Sequence, residues 1–174
     1  MLGDWLRYTI KLVAERKYGL SGVDVGRQMR VLIVDDHEVV RKGVRSLLLR
    51  SGYDVCGEGS NGEEAIKKAK ALKPDVMVMD VGMPYLNGLE ATRQVRRILP
   101  DTEVVILSQH DSPEILRQAV ACGARGYVVK SLIAKNLLAA IEKVGRHESF
   151  FESATGGAPG EPSRRNVDVE ETLQ

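Results

Sequence analysis

Asp80 ends an unbroken apolar run, Val76-Met77-Val78-Met79, and the loop Val81-Gly82-Met83-Pro84 follows it. Three more runs end the same way. Val31-Leu32-Ile33-Val34 leads to Asp35 and Asp36, Val104-Val105-Ile106-Leu107 to Ser108, and Tyr127-Val128-Val129 to Lys130. Three carboxylates, a hydroxyl and an ammonium suit a divalent cation and a phosphoryl group. Magnesium takes oxygen ligands in near-octahedral geometry and keeps waters or phosphate oxygens in its shell. Asp36, Asp80 and a loop carbonyl can supply protein oxygens, while Asp35 can hold a metal-bound water. Without a cation, clustered carboxylates repel one another. A carboxylate can itself attack phosphorus to give an aspartyl phosphate. Such transfer needs in-line positioning and neutralised equatorial oxygens, which magnesium and Lys130 supply, and the Ser108 hydroxyl can donate to a phosphoryl oxygen. Taken singly, an Asp-Asp pair is usually a helix cap, a lysine after a strand is solvated, and a serine there is a turn. Their conjunction at four strand ends carries the chemistry.

Those residues must be held by a parallel sheet, because ligands of open α/β sheets bind in the crevice outside the strand carboxyl ends. From Arg30 to about Arg146 short apolar runs alternate with helical periodicity, which predicts βα units. The first helix follows Asp36 and faces inward with Val40, Val44, Leu47 and Leu48. The second strand, with Tyr53, Val55 and Gly57 alternating with polar residues, reads as a half-exposed edge. Ser60 with Glu63 suggests a capping box for a second helix carrying Ala65, Ile66, Ala69 and Leu72, closed by Pro74. Asn87 with Glu90 caps a third, carrying Leu89, Val95 and Ile98. Ser112-Pro113 starts a fourth, and a fifth carries Leu137, Ile141 and Val144. The prediction is an α/β fold in three α/β/α layers, a doubly wound five-stranded parallel sheet of flavodoxin-like order 2-1-3-4-5. That order is adopted from known doubly wound proteins.

With 174 residues and a formal charge of +1, the chain holds one ordinary globular domain and has no global pull toward nucleic acid or membrane. Cys56 and Cys122 lack metal-ligand spacing and read as buried thiols of a reducing compartment. No apolar run approaches the roughly 20 residues of a membrane span, and no signal peptide is evident. The expected location is therefore cytoplasmic. Residues 1–29 form an extension with the pattern of an amphipathic helix (Trp5, Leu6, Ile10, Leu12, Val13), either a docking helix or untranslated sequence if the start is Met29. Asp4 and Glu15 interrupt the charge pattern of a membrane-surface helix. The domain is expected over 30–148, and the glycine- and proline-bearing tail 149–174 is expected to be disordered.

The stretches Val-Leu-Ile-Val-Asp35-Asp36-His37, Met-Asp80-Val-Gly-Met-Pro84-Tyr-Leu-Asn-Gly88, Ile-Leu-Ser108 and Gly126-Tyr127-Val-Val-Lys130 resemble a two-component response-regulator receiver domain. The likeness covers about residues 30–148 and is greatest to the subgroup that usually carries a helix-turn-helix output. It implies that Asp80 accepts phosphate from a histidine kinase or a histidine phosphotransfer protein. It implies further that Asp36, Asp80 and the Gly82 backbone bind Mg2+, with Asp35 acting through water, and that Lys130 contacts the phosphoryl group. Ser108 and Tyr127 occupy the switch positions, where the hydroxyl moves toward the phosphoryl group and the ring turns inward. Gly82 departs from the many relatives with a side chain there, and His110 lies two past Ser108; both are expected to tune dephosphorylation through water access.

No helix-turn-helix unit follows the fifth helix, and Arg164-Arg165 is too small a basic patch for nucleic acid. The expected role is therefore a phosphorelay receiver rather than an enzyme, switching protein contacts. The candidate face, which could also serve a homodimer, is built from the fourth helix, fifth strand and fifth helix, with Ile115, Ala119 and Tyr127. The alternatives are a transcription regulator without its DNA-binding domain and a phosphatase with an Asp nucleophile. The phosphatase needs a second acid two residues on, where Gly82 stands.

Overall fold

The computed structural model describes residues 27–151. The elements are β1 Arg30–Val34, α1 Glu38–Arg50, β2 Asp54–Gly59, α2 Gly62–Leu72, β3 Val76–Asp80, α3 Gly88–Ile98, β4 Glu103–Ser108, α4 Pro113–Ala121, β5 Gly126–Val129, α5 Ile133–Gly145 and β6 Phe150–Phe151. All ladders are parallel, in the order β2-β1-β3-β4-β5-β6. The apolar runs of β1, β3 and β4 are fully buried because helices cover both faces. Leu32, Met77, Met79 and Ile106 pack under α2, α3 and α4, while Ile33, Val78, Val105 and Leu107 pack under α1 and α5.

Local signals predict most boundaries. Asn87 accepts from the Glu90 amide at 2.9 Å, and Ser112 caps α4 with Pro113 at its first position. The cap of α2 is shifted by one residue from the expected Ser60–Glu63 box. Asn61 accepts from the Glu64 amide, and the Glu64 carboxylate accepts from the Ser60 amide. Asn61 wins because its extended backbone aims the short side chain at that amide. Lys73, in the left-handed region at φ 46°, ends α2 before Pro74. The edge strand β2 is half-buried as expected, with a bulge against Val31 and Leu32. Of the apolar residues read on the third helix, Val95 is buried and Ile98 is exposed at the end of α3.

The sheet has six strands rather than five, and the sixth lies beyond residue 148, where the domain was expected to end. Gly126 pairs with Phe150 and Tyr127 with Phe151. Successive strand residues point to opposite faces, so Phe150 enters the α1/α5 core and Phe151 packs on the α2–α4 side. Lys143 lies 5.4 Å from the Phe150 ring centre, a cation–π contact. The turn into β6 is anchored at the lower end of the sheet. His147, with φ 63°, places Nδ1 2.9 Å from the buried Glu103 carboxylate, and Arg125 donates to its carbonyl at 3.0 Å. Arg96 and Arg125 reach the other Glu103 oxygen at 3.2 and 3.1 Å. The remaining expectations for 1–29 and for the tail fall on residues 1–26 and 152–174, outside the described residues.

Phe150 is 5% exposed, and deleting a buried aromatic side chain costs about 3 kcal/mol. Phe150→Ala should therefore lower the unfolding free energy from urea titration by about that amount and move the midpoint down accordingly; an unchanged midpoint would mean that β6 contributes nothing to the domain.

Candidate functional site

Register brings the site together. Val34 pairs with Met79, so Asp35 and Asp80 leave neighbouring strands side by side. Asp80 pairs with Leu107, which puts Ser108 one residue further on, and Ser108 pairs with Val129, the residue before Lys130. Gly88 lets the loop after β3 fold back closely, since a Cβ there would strike the Asp80 carbonyl oxygen.

Asp35 and Asp80 are buried and Asp36 is half-buried at the mouth. Lys130, its side chain 8% exposed, sits between the two buried acids with Nζ 2.7 Å from Asp35 Oδ2 and 3.0 Å from Asp80 Oδ1. Burial pulls the Lys130 pKa down, but the hydrogen bonds and charges of Asp35 and Asp80 outweigh it and hold the ammonium above its ordinary value. Burial, then the Asp35 charge, push the Asp80 carboxyl up; Lys130 and the Gly82 amide, which donates to that carboxylate, oppose the shift. The open Cα of Gly82 leaves space, with only Asp80 Oδ2 near the place of a side chain, at 3.9 Å.

One member was not assigned a role from the sequence. His37 Nδ1 lies 2.6 Å from Asp36 Oδ1 and 3.4 Å from Asp35 Oδ1, and the His37 amide donates to Asp35 at 2.8 Å. Ligand atoms of Asp35, Asp36, His37 and Asp80 all lie within 4.8 Å of one another. This donor set fits a hard divalent cation, because the oxygens converge and their mutual repulsion lacks a second positive charge. The only sequence signal for His37 was its place next to two acids.

Ser108 does not aim at Asp80. Its hydroxyl donates to the His110 carbonyl at 2.8 Å, and the Tyr127 hydroxyl donates to the same oxygen at 2.7 Å. The Tyr127 ring, expected to turn inward on phosphorylation, is already fully buried. His110 thus contributes its backbone, and its side chain is exposed. Of the residues expected on an outward face, Ala119 and Tyr127 are buried and Ile115 is half-buried. β6 also occupies the free edge of β5. Cys56 and Cys122 are free thiols pushed up by burial and stand apart from this chemistry.

A doubly wound sheet with an acidic, lysine-bridged pocket at its switch point is the architecture of the α/β proteins that bind ligands outside the strand carboxyl ends. The chain belongs to the response-regulator receiver family: the model described as "Response regulator receiver domain" matches residues 31–142. The response regulator protein VraR of Staphylococcus saprophyticus is 42% identical over 126 residues, which cover 72% of this chain and 60% of VraR. A LuxR-family two-component response regulator from Aurantimonas superposes with TM-score 0.70 and 34% identity, covering 74% of this chain and 92% of that one. The receiver domain of NarL from Mycobacterium tuberculosis gives 0.66 and 33%, covering 70% and 98%. The chain spans 60% of the length of the relative VraR.

A carboxyl raised above its unfolded value binds its proton more tightly when folded. Asp80 therefore costs stability above its folded pKa, and the cost is relieved as pH falls through the window down to its unfolded value. Asp80→Asn should raise stability at neutral pH, where the ionised carboxylate carries the full cost of burial and of the Asp35 charge. The gain should shrink as the pH is lowered into that window. Thermal melts of both proteins across pH check this, and a variant that melts lower at neutral pH would contradict it.

Proposed function

We propose that Asp80 accepts a phosphoryl group from a sensor histidine kinase or a histidine phosphotransfer protein, and that the phosphorylated domain switches protein–protein contacts. The observation that carries this reading is the Lys130 ammonium held between Asp35 and Asp80 in a converging acidic pocket. Asp36, Asp80 and the Gly82 carbonyl would hold Mg2+, with Asp35 acting through water. When bound, the ion offsets charge on the carboxylates and on the phosphoryl oxygens.

The chain's own residues do the rest. The buried position of Asp80 strips water from its carboxylate, and Lys130 holds one oxygen and meets a phosphoryl oxygen from the same side. His37 orients Asp36 from outside the ligand set, as outer partners of metal ligands do. Transfer makes an O–P bond at Asp80 while the N–P bond of the donor histidine breaks, and the leaving imidazole takes up a proton. The new phosphoryl group then draws the Ser108 hydroxyl from the His110 carbonyl, leaving Tyr127 as that oxygen's partner.

The output face includes α4, where Val120 is exposed, together with α5 and the β6 edge. A homodimer through this face and a phosphorelay intermediate both belong to this reading. A second reading, a receiver belonging to a transcription regulator, is favoured by the likeness to LuxR-family response regulators. No helix among the described residues is long and apolar enough to cross a membrane. The free thiols of half-buried Cys56 and buried Cys122 support a reducing, cytoplasmic setting.

Incubation with a small acyl phosphate and Mg2+ should add one phosphoryl group to the wild-type mass and none to Asp80→Asn. Equal labelling of both proteins would refute Asp80 as the acceptor. Lys130→Gln should slow labelling by on the order of a hundredfold while circular dichroism stays unchanged.

A further inference from the structure

The groove between α2 and α3 takes no part in the chemistry at Asp80. It encloses about 820 Å³, and its floor is Ile66 and Leu86, which pack on the core beneath. Tyr85 stands at its rim, 95% exposed, with a left-handed backbone at φ 64°. That conformation is strained for an aromatic residue, and such strain persists only where the surroundings impose it. Here they do. A Cβ on Gly62 would strike the Leu86 carbonyl and one on Gly88 the Asp80 carbonyl, so the loop is pinned on both sides with the ring outward.

The rim is mainly basic. Lys67 and Lys70 are exposed and have no ion-pair partner among the described residues, whereas Lys68 is tied to Glu64. Arg97 is exposed one turn beyond Gln94, which lines the groove. Glu63 is the opposing acid, in the first turn of α2.

We propose that this groove docks the acidic segment 167–173 of the same chain. That segment carries Asp168, Glu170 and Glu171 among Val167, Val169 and Leu173, with no basic residue. Its acids match Lys67 and Lys70, and its apolar side chains match Tyr85 and Ile66. The other apolar terminal stretch has the wrong sign: residues 5–17 hold Arg7, Lys11, Arg16 and Lys17 against Glu15. Reach suffices. Residues 152–166 can span up to about 50 Å, and the path from β6 across α4 and α3 is roughly 20–30 Å at ordinary helix spacings. Tethering raises the local concentration to about the millimolar range, so weak pairs suffice. The docking depends on neither metal nor phosphate.

The test uses the full chain with a nitroxide on Gln174→Cys in a Cys56→Ser background. Amide signals of Lys67, Lys70 and Tyr85 should be attenuated about twofold or more, independently of dilution, as a tethered contact requires. Lys67→Glu with Lys70→Glu should abolish the attenuation, and adding Asp168→Lys, Glu170→Lys and Glu171→Lys should restore it. Tyr85→Asn relieves the backbone strain, so it should fold at least as well yet weaken the attenuation. No attenuation in the parent chain, attenuation indifferent to the charge swaps, or attenuation arising only between mixed copies would each overturn the proposal. The last would assign the groove to a second copy.

Discussion

Like-charge repulsion at one end of the sheet is the constraint around which the structure is arranged. Asp35 and Asp80 emerge side by side because β1 and β3 are neighbours, and both are buried. Desolvation and proximity each oppose ionisation. A single ammonium, Lys130, is brought from two strands away to lie between them. Three carboxylates against one ammonium still leave the pocket short of positive charge, an arrangement that suits a divalent cation.

The sheet makes this tolerable. Strands covered on both faces form a rigid platform, and the chemistry is confined to the residues where the strands run out. The opposite end carries the inverse arrangement, with Glu103 buried under Arg96, Arg125 and His147. There one carboxylate is surrounded by donors, and the cluster fixes the turn that leads into β6. One end of the sheet is polar for reactivity, the other for anchorage.

The hydroxyls of Ser108 and Tyr127 are coupled through one acceptor, the His110 carbonyl. A carbonyl oxygen has two lone pairs, so both bonds coexist until something competes for one hydroxyl. Ser108 lies on the strand beside Asp80 and is the one within reach of such competition. On the proposed reading, this shared acceptor is where the loop after β4 would register phosphorylation of Asp80.

The fold was legible because its signals are local. Four apolar runs, each ended by Asp35, Asp80, Ser108 or Lys130, mark buried strands, and the Asn87 and Ser112 caps depend only on residues three positions on. The candidate site followed from those ends, since a doubly wound sheet gathers them. What the sequence left open depends on partners distant in the chain. The phenylalanine pair of β6 is too short for periodicity, and its worth comes from cores on both sides of the sheet. The role of His37 depends on where two carboxylates point, and the Ser108 hydroxyl was decided by a carbonyl in the following loop. Tyr127, read as an outward residue, is inside because α4 and β6 close over it. Periodicity and capping are properties of neighbours in sequence; register, orientation and shared acceptors exist only once the chain has packed.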